Sequence, residues 1–347
     1  MRLHIIRKTI APFLFLFLSG AAARAQEKVS FQRFSNNPII SPALVGGTEG
    51  ENINGPSLLK VPDWVPNRLG KYYLYFAHHK GKYIRLAYAD DLKGPWKIYQ
   101  PGTLQLKDCA PCADGLPRSG NSVKHEGAET GDDGVTHVAS PDVLVDKANK
   151  QLVLYFHCPL EKGSYKGQYS FRATSKDGLH FTADTTVLGY SYFRVFPYKG
   201  QYYSLSRAGL LARSPDGITA FEEGHNPFSN IQNKNNYLRH AAVHLSGDTL
   251  YVFYSRIGDA PERIVVSKIP LNGDWTTWTA TAPVDVVRPE KEYEGGNLPV
   301  AASQPGLYYG NVRQLRDPYL YEESGRLYLL YSVAGEAGIA IGEVKLK

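Results

Sequence analysis

One strand pattern comes round five times in this 347-residue chain, and that repetition constrains the fold more than any other feature. The first copy runs NGPSLL (54–59), KYYLYFAHH (71–79) and YIRLAYADD (83–91), closing at Pro95-Trp96. The second runs SPDVLV (140–145), QLVLYFHC (151–158) and GQYSFRATSKDGLHF (167–181); the others occupy 192–221, 238–278 and 315–344. Each copy has a short apolar strand, a turn rich in Gly, Asn or Asp, a Tyr- and Leu-rich strand, and a third alternating strand. Turns such as Ser175-Lys176-Asp177-Gly178 and Ser214-Pro215-Asp216-Gly217 follow, supplying the positive φ that tight hairpins need. No stretch combines a 3.6-residue apolar period with helix caps over a dozen positions. Four-stranded sheets repeated radially are the mark of a β-propeller, so the expected fold is all-β with five blades. A β-sandwich with unrelated hairpins has no reason to repeat one order of elements five times.

The remaining segments take their meaning from that frame. Residues 28–45, with Phe31, Phe34, Ile39 and Ile40, are expected to return and complete the last blade, removing exposed sheet edges. Residues 107–136 and 279–314 lack the pattern and read as long loops on the site face. Ahead of the blades, Arg2, Arg7 and Lys8 precede an apolar run from Ile10 to Leu18, and Ala23-Arg24-Ala25 follows. This is the layout of an export signal cut after Ala25, and the run is too short to span a bilayer. A periplasmic or secreted protein comprising residues 26–347 as one propeller is therefore expected, with no membrane anchor. The chain carries 39 basic against 33 acidic residues, and four of the basic ones lie in the first 25. The surplus of two that remains is too small for a nucleic-acid or polybasic membrane surface. Cys109 and Cys112 form a C-x-x-C loop that reads as a local disulfide in an oxidising compartment, with Cys158 standing alone.

In an up-and-down blade the first strand lines the axis and the second runs back beside it. The start of the first and the end of the second then open on one face. Strand-one starts contribute Asn54, Asp142, Arg194, Arg239 with His240, and Asp317. Strand-two ends contribute His78, His79, His157, Arg207, Arg256 with Glu262 beyond it, and Glu336; Glu51 and His137 lie just upstream of first strands. Ionisable groups crowded around a narrow mouth shift one another's pKa values, as acid–base chemistry requires. Each has a plain alternative. A carboxylate beside Pro can simply accept backbone N–H groups, Glu262 can pair with Arg263 or Arg256, and Glu336 can cap a hairpin.

Arg316-Asp317-Pro318, Ser140-Pro141-Asp142 and the S-x-D-G turns resemble those of five-bladed propeller glycosidases, the clan of glycoside hydrolase families 43, 32 and 117. The resemblance covers about residues 30–346 as architecture. It implies three carboxyls at an axial pocket, serving as base or nucleophile, as pKa modulator and as general acid. By it, Asp142 and Asp317 match the axial Asp positions, and Glu262 or Glu336 serves as acid. Asn54-Gly55-Pro56 departs from the family-43 pattern, which has an Asp at the start of blade one. The base role then passes to Asp317, to Glu51 or to nobody, the last case being a binding propeller without turnover.

The activity so implied is exo-acting hydrolysis of an oligosaccharide derived from a plant or algal polysaccharide. A proton donor and a base or nucleophile would flank the scissile bond, their spacing selecting retention or inversion. Trp64, Tyr83, Tyr192, Phe193, Tyr237, Tyr293 and Tyr319 are candidates to stack on sugar faces. Glu51, Asn54, His79, His137, His157, Arg194, Arg239, His240 and Arg313 are candidates to bind substrate. Arg194, Arg239 and Arg313 with the histidines would suit an acidic or sulfated sugar. A phosphate-dependent phosphorylase and a sialidase are further alternatives. No cofactor is called for and no residue is assigned to a metal. A structural calcium is the one ion considered, although Glu129-Thr130-Gly131-Asp132-Asp133 reads as a solvated turn.

Overall fold

The computed structural model describes residues 29–110, 112, 137–162, 165–308 and 310–346. The export signal, the Glu129–Asp133 turn and most of the first long loop lie outside the described residues. The chain opens with β1 (Val29–Arg33) and one short helix, α1 (Pro42–Val45). Blade one is β2 (Asn54–Lys60), β3 (Tyr72–Ala77), β4 (Arg85–Ala89) and β5 (Lys97–Tyr99). Blade two is β6 (Ala139–Asp146), β7 (Gln151–Lys162) and β8 (Tyr165–Ser175), with β9 (Thr182–Ala183) and β10 (Gly189–Tyr190) both pairing with β8. Blade three is β11 (Arg194–Tyr198), β12 (Gln201–Leu205), β13 (Leu211–Ser214) and β14 (Glu222–Glu223). Blade four is β15 (Tyr237–Ser246), β16 (Thr249–Ile257), β17 (Ile264–Pro270) and β18 (Val284–Val287). Blade five is β19 (Arg316–Glu323), β20 (Arg326–Ser332) and β21 (Ile339–Leu346), with β1 as its outer strand. All five sheets are antiparallel meanders, so the molecule is a five-bladed β-propeller.

Burial explains why the second strands read as unbroken apolar runs. Every residue of Tyr72–Ala77 is buried, because a neighbouring blade packs on each face of the sheet. The described core divides into five clusters, one at each junction between blades. Outer strands are brief, two to five residues, as in the charged Glu222–Glu223, which leaves little edge to pair with another chain. Closure works as the pattern implied: Phe31 and Phe34 pack on Tyr331 and Tyr328 at 5.8 and 6.0 Å. Arg33 then donates to the buried Glu294 at 2.7 and 3.0 Å, pinning the first strand to the loop between blades four and five.

The S-x-D-G turns are sockets between blades. Asp177 Oδ1 accepts from the amides of Leu179 and His180, at 2.8 and 2.9 Å, and Ser175 Oγ accepts from Gly178 N at 2.8 Å. The Gly178 carbonyl then receives the Tyr75 hydroxyl of blade one at 2.8 Å. The second turn repeats the arrangement: Tyr155 of blade two donates to Gly217 O at 2.9 Å. Tyrosines at the bases of blades thus carry inter-blade bonds as well as apolar bulk.

Two expectations are corrected. Residues 279–314 are not wholly loop, since Val284–Val287 forms the outer strand of blade four. A short strand pairing along only one edge carries too little alternation to stand out in sequence. Cys158 does not stand alone either. The sulfurs of Cys109, Cys112 and Cys158 are buried together within 4.8 Å, with Cys112 at bonding distance from both others. One sulfur forms one disulfide at a time, so the trio holds one bridge and one thiol.

Candidate active site

A repeated β-bulge places the central residues. The pairing of β2, β6 and β19 with their neighbours skips Gly55-Pro56, Ser140-Pro141 and Asp317-Pro318. The first residue of each pair has φ of +59°, +51° and +47°. Proline is tolerated next because a bulged residue has no ladder bond to give, and the bulge re-aims the side chain before it. Glycine, Ser and Asp thus hold one structural position, and blade one has no side chain where blade five has Asp317. Asn54 aligns with Arg316, one residue earlier than the sequence reading had it.

Asp142 comes after its proline, back in the ladder opposite Tyr155, so it does not share the position of Asp317. Its Oδ2 accepts the Val195 amide of blade three at 2.9 Å, just as Ser57 Oγ at the same place in blade one accepts the Val143 amide at 2.9 Å. Burial raises the Asp142 carboxyl, against the pull of Arg194 and that amide. Asp142 is therefore an inter-blade clamp facing the shaft.

Two carboxylate–imidazole pairs occupy the mouth. Asp317, buried on its bulge, meets His240 Nδ1 through Oδ1 and accepts from Ser332 Oγ at 3.1 Å through Oδ2. Burial works to raise its pKa, but the charge and hydrogen bond of His240 outweigh it and hold the carboxyl below the ordinary range. Glu336 takes Arg316 at 3.0 Å on Oε1, and Asn52 and Asn54 at 2.5 and 3.1 Å on Oε2. His79 Nδ1 lies 3.6 Å from the same oxygen. Burial again pushes upward, while His79, Arg316 and Asn52 hold Glu336 far below the usual carboxylate value. The two acids also feel each other, since Glu336 pushes Asp317 upward.

A file of rings joins the pairs. His79 and His137 are 6.4 Å apart, His137 and His157 5.6 Å, His157 and Tyr192 4.5 Å, and Tyr192 and His240 4.2 Å. Tyr192 holds φ +66°, a backbone state rarely kept without a reason at that spot. His157 stays neutral: burial first, then His137, His240, His79 and Arg194, lower its pKa well below the ordinary value. His78 turns aside, its Nδ1 accepting the Lys80 amide at 2.9 Å, and burial with Arg85 beside it brings its pKa to about 4.

The other sequence candidates fall outside this mouth. Both oxygens of the fully buried Glu262 are taken, by Arg239 at 3.0 Å, Arg316 at 3.0 Å and Ser303 at 2.6 Å, which leaves it no acid role. Arg239 also binds the Gly306 and Gln304 carbonyls, so this network clamps the 303–306 loop beside the site. Arg194 is spent on the carbonyls of Ala241, Pro141 and Phe193, and Arg313 on that of Pro289. The three arginines do not form an anion clamp, and the acidic-sugar expectation loses its basis. Glu51 is exposed at the end of a 3-10 turn and is not the base. Of the stacking candidates, Tyr192 is buried between His157 and His240 in the file of rings, and Phe193 and Tyr319 are buried in junctions between blades.

Sequence reasoning missed Asn52, Arg316 and Ser332. Arg316 stood within a quoted motif but had no role, and it bridges Glu262 to Glu336. Asn52 lies in a loop whose direction no strand period foretells.

Comparison with known proteins supports this architecture. No family profile matches the chain. A thermostable family-43 glycoside hydrolase superposes with a TM-score of 0.52 at 12% identity, covering 85% of this chain and 89% of that one. A family-43 β-xylosidase/α-arabinofuranosidase from a compost microbial metagenome, solved with xylotriose, gives 0.54 at 13%, over 91% and 94%. A family-43 enzyme from Xanthomonas citri gives 0.53 at 12%, over 86% and 89%. The uncharacterized protein R118 of Acanthamoeba polyphaga mimivirus is 40% identical over 328 residues, 89% of this chain and 88% of that protein. With the five-bladed fold of the family-43 glycoside hydrolases, the chain belongs to the same family as that mimivirus protein.

Proposed function

We propose that the protein is an exported glycoside hydrolase that binds the end of an oligosaccharide in the axial mouth. The observation that carries this reading is the pair of buried, ionised carboxylates, Asp317 and Glu336, each facing an imidazole at one opening. Glycosidic hydrolysis needs a proton on the leaving oxygen and a base or nucleophile on the other side. Asp317 with His240 supplies the base. His79, set against the fixed anion of Glu336, supplies the proton, because neither carboxylate keeps one at neutral pH. Tyr192, packed edge-on between His157 and His240, holds the His240 ring in place beside Asp317. The imidazole donor is what separates this site from one with a carboxylic acid in that role.

The fold's relatives suggest the first substrates to try: aryl β-xylosides, aryl α-arabinofuranosides, and xylo- and arabino-oligosaccharides of one to five units. On a hydrolysed member of that panel, Asp317→Asn and His79→Gln should each lower kcat by about 10²-fold or more. Wild-type-like rates in both variants would refute the assignment. Export is tested separately, by N-terminal sequencing of the mature protein, which should begin at Gln26. A second reading has one observation in its favour, the absent carboxylate at Gly55. Saturable sugar binding without any product would establish a binding propeller instead.

A further inference from the structure

His79 and Glu336 reach each other from different blades, His79 from just past β3 of blade one and Glu336 from the turn between β20 and β21 of blade five. The two hairpins belong to different sheets, so their own ladders do not fix that separation. One side chain spans it. Asn52 stands in extended backbone between the 3-10 turn Thr48–Glu51 and β2, and is 4% exposed. Its Nδ2 donates to Glu336 Oε2 at 2.5 Å, while its Oδ1 accepts the His79 amide at 2.8 Å. Asn54 Nδ2 donates to the same Oδ1 at 3.0 Å. This set of partners decides which way the amide faces, because two N–H groups need the oxygen and a carboxylate needs the nitrogen. The main chain beside it is tied to both blades. Arg85 of β4, itself buried, donates to the Asn52 carbonyl at 2.8 Å, and the Ile53 amide donates to the Glu336 carbonyl at 2.6 Å. Held in this way, the Asn52 amide sets the 3.6 Å at which His79 Nδ1 faces Glu336 Oε2.

We propose that Asn52 is the positioning residue of the proton-donating pair, its single amide setting the His79 imidazole against the Glu336 carboxylate across the seam between blades one and five. This deepens the hydrolase reading and rests on it only for what the pair does to a substrate; the pairing itself needs none. Among the described residues, the charged and titratable groups around His79 are Glu336 with its partner Arg316, the imidazoles of His78, His137 and His157, and the adjacent Lys80. Of these, Glu336 alone is negative. An imidazole held against a carboxylate keeps its proton more tightly, so a looser hold is read directly in the titration of His79.

The test is a double-mutant cycle on the whole protein, read in the pH titration of the His79 imidazole by NMR with isotope-labelled histidine. The His79 signal is identified by its loss in His79→Gln. Asn52→Ala should lower the titration midpoint by about one unit, and Glu336→Gln should lower it at least as far. In the double variant Asn52→Ala should add nothing further, because the carboxylate through which it acts is gone. Asn52→Ser can keep one of the two bonds but not both; it guards against a failure of Asn52→Ala to fold and should show the same drop. On any member of the xylose and arabinose panel that is hydrolysed, Asn52→Ala should lower kcat about tenfold with KM within about twofold of wild type. The proposal is overturned if the His79 midpoint holds in Asn52→Ala and Asn52→Ser, or if the losses from Asn52→Ala and Glu336→Gln add. The expected shifts without hydrolysis of any sugar would remove the hydrolase reading and leave the positioning role standing. Hydrolysis with an unmoved midpoint in both Asn52 variants would do the reverse.

Discussion

Asp317 and Glu262 are both buried acids beside guanidinium or imidazole groups, and their surroundings give them opposite work. Glu262 has both oxygens bonded within a closed network of two arginines and a serine, so Glu262→Gln leaves buried positive charge unbalanced. That substitution should cost about 3–5 kcal/mol in urea unfolding, with activity falling alongside. Asp317→Asn should lower stability only by the share the ionised carboxylate supplies, since His240 can re-pair with the amide oxygen, while turnover falls far more than that loss explains. Acid stability and acid activity follow from the same carboxylates. The folded pKa values of Asp317 and Glu336 are depressed, so their contribution is complete above the unfolded carboxylate value and fades as pH falls toward the folded one. The acid limb of kcat/KM should therefore lie below about pH 4, the ordinary carboxylate value. A limb at pH 5–6 would contradict ionised carboxylates. Asp317 was legible as a site residue because it stands at the opening of the first strand of its blade, where the ring topology gathers ionisable groups on one face. Glu262 was misjudged because sequence distance cannot show which of several arginines closes on it.

At the scale of elements, bulges and turns decide what each blade presents. The Gly55, Ser140 and Asp317 bulges give one backbone position three chemistries, which is why the blades repeat as architecture while only one carries a carboxylate there. The S-x-D-G turns bind the neighbouring blade through Tyr75 and Tyr155. Adding a methyl at Gly178, where φ is +75°, would bring Cβ within 2.8 Å of the Tyr75 hydroxyl and the Leu152 Cδ1. Gly178→Ala should thus destabilise by about 1–3 kcal/mol in chemical denaturation. Burial works to raise the Asp177 carboxyl, but His180, the backbone amides and Ser175 together outweigh it and hold it at about 2. Its stabilising share is present above about pH 4 and lost on descending toward pH 2, so Asp177→Asn should flatten thermal stability across that window. The repeating strands and turns were plain in the sequence because alternation and glycine placement are local properties. The short β18 was not, since only its pairing with β17 makes it a strand.

For the whole molecule, ring closure gathers groups from residue 52 to residue 336 into one opening. That closure depends on β1, whose Arg33 meets Glu294 in the interior; Glu294 is fully buried and also receives the Tyr331 hydroxyl at 2.7 Å. Arg33→Ala should lower stability by about 3–5 kcal/mol, read from urea unfolding, because it strands that carboxylate. An unchanged midpoint would mean the ring does not need this bolt. By itself the sequence determined the class of fold, the number of blades, the return of the first strand to the last blade, and the face on which ionisable residues collect. These follow from periodicity and turn chemistry, which act over a few residues. Only the tertiary structure decided that Asp317 and Glu336 stand at the mouth with His240 and His79, while Asp142, Glu262, Arg194 and Arg239 bolt blades and loops together. Pairing across blades is set by register and bulges, and moving a side chain by one position turns it from the mouth into the shaft.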